Sequence, residues 1–143
     1  MLKRHLLVII IASVFSLGLL PAASTFAENP VVITNKSVAS GSVDIDTIKK
    51  IYSGYTTSWP DGSRIIVTIM EKSPVHDVFL KIYVGKSENQ FKATWKKLMF
   101  TGKGKYPRNF DSADKLIEFV KSTPGAIGYV DTSINTTDVS VQP

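Results

Sequence analysis

Thr123-Pro124-Gly125-Ala126-Ile127-Gly128-Tyr129-Val130 is a Pro-Gly turn that runs straight into a short apolar strand. Proline presets one backbone angle of such a turn and glycine accepts the other, so the chain reverses before the strand begins. Gly128, inside the strand, carries no Cβ and leaves a gap where another backbone or a ligand can come close. Immediately upstream, a helix starting near Asp111 or Ser112 buries Ala113, Leu116, Ile117 and Val120. A helix, a tight turn and a buried strand in that order mark one unit of an α/β architecture.

Further back, Ser87 and Gln90 form a capping box for a helix whose inner face is Phe91, Trp95, Leu98 and Met99. Before it, Ser73 caps a helix with Pro74 at its first position, where the missing N–H costs little. Val75, Val78, Phe79, Ile82 and Tyr83 make an apolar stripe at helical spacing, and Gly85 closes it. Ile65 to Met70 reads as a strand, preceded by the turn Trp59-Pro60-Asp61-Gly62. A helix capped by Asp44 or Asp46 presents Ile48, Ile51 and Tyr52 and stops at Gly54. Val31 to Thr34 is a buried strand, and Asp138 to Val141 adds a short final one. Strands alternating with helices predict an α/β fold: a small, mostly parallel sheet flanked by helices.

Residues 1–27 have the form of a secretory signal. Lys3, Arg4 and His5 precede the apolar run Leu6 to Leu20, and Thr25-Phe26-Ala27 suits cleavage. The expected exported domain is residues 28–143, with retention of the leader as an anchor the lesser outcome. Removing Lys3 and Arg4 leaves 15 basic against 12 acidic residues with the signs mixed, which does not point to nucleic acid. There is no cysteine, so the core must hold the domain without disulfides. A domain of this size buries about two thirds of its unfolded surface and can stand alone.

The order of these features resembles the periplasmic phosphate-binding proteins of ABC transporters, members of the type II periplasmic binding protein superfamily. Ile51-Tyr52-Ser53-Gly54 followed by Trp59 is similar to that family's Ile-Phe-x-Gly segment with its downstream tryptophan. Phe79, the run Phe100-Thr101-Gly102-Lys103-Gly104 and the octet at Thr123 to Val130 continue in the family's order. The resemblance covers nearly all of residues 28–143 and implies one lobe of a two-lobed clamshell fold. It implies a solute-binding role, with phosphate or another small oxyanion as ligand and a membrane transporter as partner. Periplasmic location follows from the same resemblance, and a homodimer could supply the missing wall of the cleft.

The ligand positions depart from the family. Aligned on Phe79, the stretch Glu71-Lys72-Ser73-Pro74-Val75-His76-Asp77 stands where phosphate binders carry an arginine and a Gly-Ser-Gly-Thr run. What remains is a helix start, which offers free N–H groups and partial positive charge. Lys72 can add a charge, Ser73 a hydroxyl, and Val75 and His76 backbone donors, against the negative charge of Glu71 and Asp77. Asn35, Lys36 and Ser37, at the carboxyl end of the first strand, are the second candidate group. A plainly capped helix and an ordinary polar loop are the competing explanations. Trp59 and Trp95 fit packing roles beside periodic apolar positions.

Catalysis finds no support in the residues. After the leader there is one histidine, His76, and no Gly-x-Ser-x-Gly elbow or nucleotide fingerprint. No cofactor or metal is expected. Two functions remain: an oxyanion-binding module for transport or sensing, and a non-catalytic envelope scaffold that has lost its ligand groups.

Overall fold

The computed structural model describes residues 28–39, 41 and 43–142. The leader expected at residues 1–27 lies outside them. Strand β1 (Pro30–Thr34) is followed by helix α1 (Ile45–Tyr52), whose N-cap Asp44 accepts a hydrogen bond from the Thr47 N–H. Strand β2 (Ile66–Ile69) leads to α2 (Pro74–Phe79), which passes directly into a π-helical turn, Leu80–Val84. Helix α3 (Glu88–Phe100) starts on the capping box expected at Ser87 and Gln90. A two-residue strand β3 (Arg108–Asn109), helix α4 (Ala113–Ser122), strand β4 (Ala126–Asp131) and a short β5 (Ser140–Val141) complete the order.

The five strands lie in the order β3-β2-β4-β1-β5. The fold is α/β with flanking helices, as expected, but the pairing is evenly split. β2 runs parallel to β3 and β4, whereas β1 runs antiparallel to both β4 and β5. The sheet is therefore mixed rather than mostly parallel. Strand direction is decided by where the chain re-enters the sheet, and no local residue pattern carries that information.

β4 is the middle strand, and all but its last residue are buried. Its alternating side chains serve two layers. On one face Gly128 lies under α4, with Leu116 and Val120 against it. On the other, Tyr129 stacks on Phe79 of α2, ring centroids 3.9 Å apart, and Tyr52 of α1 stands edge-on to Phe79. The Pro-Gly turn is pinned from three sides: Gly125 has φ of 75°, its N–H reaches the Ser37 hydroxyl, and its carbonyl accepts the Trp59 indole N–H. Trp95 likewise donates to the Tyr52 carbonyl, and both indoles are buried.

Two expected apolar faces are shifted. In α2 the buried positions include His76, Leu80 and Val84, while Ile82 is 59% exposed. For Ile82 and Val84 the cause is the π turn, in which the Gly85 N–H reaches back to the Leu80 carbonyl and widens the helix; His76 and Leu80 share a face with Phe79 at ordinary helical spacing. In α3, Phe91 and Trp95 are buried, but Met99 stands at the exposed end of the helix. No helix among the described residues is long and apolar enough to cross a membrane.

Candidate functional site

The carboxyl ends of β2 and β3 open into a cleft of about 520 Å³, lined by Met70 to Ser73 on one side and by Asn109, Phe110, Asp111 and Lys115 on the other. Its β2 wall forms because β2 ends in a tight turn ahead of α2. The Ser73 N–H bonds back to the Met70 carbonyl, and Lys72 takes a left-handed φ of 66°. A side chain other than glycine, asparagine or aspartate pays for that conformation with strain, which the surrounding turn must hold. The β3 wall forms because Asn109 accepts the Glu71 N–H and the Phe110 N–H is given to the Ile69 carbonyl.

Charge in the cleft is balanced but unequally tied. Lys115 is held by Asp111 at 2.9 and 3.0 Å, and this ion pair lowers the Asp111 pKa. The Glu71 carboxylate accepts the Tyr106 hydroxyl, whose pKa is raised by burial and by that same carboxylate. Lys72 enters no salt bridge among the described residues. It is thus the cation of this cleft with charge to spare for a ligand.

The remaining candidates fall out as follows. Ser73 is the N-cap of α2 yet makes no side-chain cap; its hydroxyl donates to the Met70 carbonyl at 2.7 Å. The oxygen stays free to accept but its proton is committed. Val75 is buried with its side chain in the core. His76, expected to offer a backbone donor, is 1% exposed, and its backbone N–H is given to the Ser73 carbonyl. Its ring bonds through Nδ1 to the Tyr129 hydroxyl, which also accepts the Met70 N–H, while Nε2 is buried without a partner. Burial holds this imidazole below its ordinary value, with Lys92 adding to the effect and Glu88, Asp77 and Glu71 opposing it.

Asn35, Lys36 and Ser37 are not brought to this cleft. Because β1 is antiparallel to β4, its carboxyl end lies beside the start of β4, at the opposite edge of the sheet. Asn35 is buried there, and its amide donates to the Val120 and Lys121 carbonyls at the end of α4. Its oxygen accepts the Ser37 N–H, and the Ser37 hydroxyl accepts the Gly125 N–H. Lys36 is exposed. Sequence inspection missed Asn109, Asp111 and Lys115, which line the cleft from the two-residue β3, the turn after it and the first turn of α4, and Tyr106, whose hydroxyl reaches Glu71 from the segment before β3. Among the described residues no group of three or more His, Cys, Asp or Glu side chains is placed to hold a metal.

No family model and no curated protein sequence matches the chain. Solved structures do. A protein from Clostridium perfringens, described as a phosphate ABC transporter substrate-binding protein and solved with bound phosphate, aligns over 80% of this chain at 22% identity and a TM-score of 0.63. An ABC-type phosphate transport receptor from Vibrio cholerae aligns over the same share at 13% identity and 0.62, and PstS from Borrelia burgdorferi at 14% and 0.61. The chain spans 44% to 46% of the length of these structures. At such identities the likeness shows the fold: this α/β sheet with its helices matches a fragment of the phosphate substrate-binding protein architecture.

Proposed function

We propose that this chain is an exported solute-binding unit that takes phosphate, or a small oxyanion of similar geometry, and works beside an ABC-type membrane transporter. One observation carries the reading. Two of the structural neighbours named above are described as phosphate transport proteins, and one of them was solved holding phosphate. The cleft supports it from this chain's own residues: it lies at the carboxyl ends of two parallel strands, where open sheets collect ligands, and Lys72 lines it without a salt bridge among the described residues. Binding rather than catalysis is the reading favoured by the neighbours, described as a substrate-binding protein and a transport receptor.

The described residues build one wall, so a ligand here keeps much of its water and binds weakly and salt-dependently. A second copy, or chain beyond that described, would close the cleft and raise affinity. Isothermal titration with phosphate, sulfate, molybdate and acetate, paired with thermal melting, tests the proposal. Phosphate should release or absorb heat and raise the melting temperature, because a ligand that binds only the native state stabilises it by mass action. Lys72→Gln should weaken that response. Neither heat nor a melting shift in millimolar phosphate would remove the proposal, and light scattering in the same buffers reads whether a dimer forms.

A further inference from the structure

A second concavity lies at the other end of β2, and its chemistry differs. This groove, about 620 Å³, runs between the loop at residues 56–58 and the segment 103–108. Its rim carries four cations, Arg64, Lys103, Lys105 and Arg108, and no acidic residue lines it. None of the four enters a salt bridge among the described residues; Arg108 rests over the Phe119 ring at 4.8 Å. Like charges gathered on one rim repel each other, so the arrangement costs stability unless an anion occupies it.

The floor is not that of a simple anion site. Trp95, Ile66 and Val67 supply apolar surface. Pairing of β2 with β3 begins only at Thr68, and ahead of β2 residues 64 and 65 are tied to residues 58 and 57, so the floor at Ile66 and Val67 lies between these two contacts. At the two loop entries stand the most exposed aromatics of the described residues: Tyr55, 84% exposed, directly before Thr56, and Phe100, 95% exposed, shortly before Lys103. A cationic rim around an apolar floor, with exposed aromatics in the adjoining chain, is a combination by which proteins hold segments of opposite charge.

The geometry points to a docking groove for an extended acidic segment of a partner protein, with alternate side chains to the cationic rim and to the apolar floor. The groove is separate from the cleft at Lys72, so this inference stands or falls independently of phosphate binding. Fluorescence anisotropy with a labelled peptide of alternating Glu and Val tests it, with a Lys-Val peptide and inorganic phosphate as controls. The purified protein should bind the Glu-Val peptide, lose it progressively with added salt, and ignore the Lys-Val peptide. Lys103→Glu with Lys105→Glu should weaken binding by about tenfold or more and admit the Lys-Val peptide. Both lysines are exposed, so the variant's melting temperature should match the parent's; Arg64→Gln provides an independent check should it not. Three results would overturn the inference: no anisotropy change with the Glu-Val peptide, equal binding by the charge-reversed protein, or displacement of the peptide by phosphate at concentrations that saturate the cleft.

Discussion

At Gly128 a Cβ would press on the Thr68 hydroxyl and come within 2.7 Å of a Leu116 methyl and 3.4 Å of Val120. The gap foreseen in the strand is filled by side chains of β2 and α4, not by a ligand. Gly128→Val should therefore destabilise the fold by roughly 2–3 kcal/mol through overpacking, read from urea unfolding; an unchanged midpoint would show that α4 can lift away freely. His76 makes a different prediction. Burial depresses its pKa below the ordinary 6.5, so as pH falls through 6.5 the unfolded chain takes up a proton that the native state refuses. Stability from this residue is complete above about pH 6.5 and declines below it. The neighbours acting on the ring are Tyr129, which bonds it, and the charged Glu88, Asp77, Glu71 and Lys92. His76→Phe should flatten the slope of stability between neutral and mildly acid pH, and an identical slope would assign the dependence elsewhere. Lys72, at φ of 66°, separates strain from function. Lys72→Gly should raise stability by up to about 1 kcal/mol while weakening any phosphate response, because the strained conformation is relieved and the charge is lost together.

Among the elements, the loop after β1 binds the end of α4 through Asn35, whose amide closes two carbonyls that the helix leaves open. Asn35→Ala should cost about 2 kcal/mol, since those buried carbonyls lose their partners. Phosphate affinity of the folded variant should be unchanged, because Asn35 lies at the opposite end of the sheet from Lys72; a loss of affinity would place the ligand elsewhere. The same contrast explains what could be read in advance. Asp44 and the Ser87–Gln90 box start their helices as expected because capping is decided within a few residues. Ser73 was recognised as a cap position, yet its hydroxyl turned to Met70 because the turn at Lys72 brings that carbonyl closer than the helix amides. The burial of His76 is set by tertiary packing, since at ordinary helical spacing it shares a face with Phe79 and Leu80, whereas the π turn after Phe79 moves the buried face to Val84 and leaves Ile82 outside. The even split of strand directions, in place of a mostly parallel sheet, has a non-local reason: the partners of β1 are about a hundred residues away. The second wall of the cleft is illegible for the same cause, since Asn109 arrives on a two-residue strand and Lys115 on the first turn of α4, brought to β2 only by the pairing of β3 with it.

At the scale of the whole molecule, stability should be graded outward from β4. That strand is paired on both sides, along its length with β1 and at its start with β2, and both faces of it are covered. β3 and β5 are two-residue edges, and the candidate cleft hangs on the first of them. Native-state hydrogen exchange should therefore separate two classes of amide. Those of Ile127 to Val130 should exchange only by global unfolding, with the same denaturant dependence as the equilibrium transition. Those of Glu71 and Phe110, which tie the two cleft walls through Asn109 and Ile69, should open locally at much lower free energy. Phosphate bound in the cleft must add its stabilisation to that local opening, because the open form loses the wall on which the ligand sits. Protection at Glu71 and Phe110 should then rise with phosphate concentration, whereas amides beside the basic groove, such as Ile65, should gain only what the global stability gains. Equal protection across all of these amides in the absence of ligand would mean that the β3 edge is as firmly bound as the centre of the sheet, and a site built on a yielding wall would have to be abandoned.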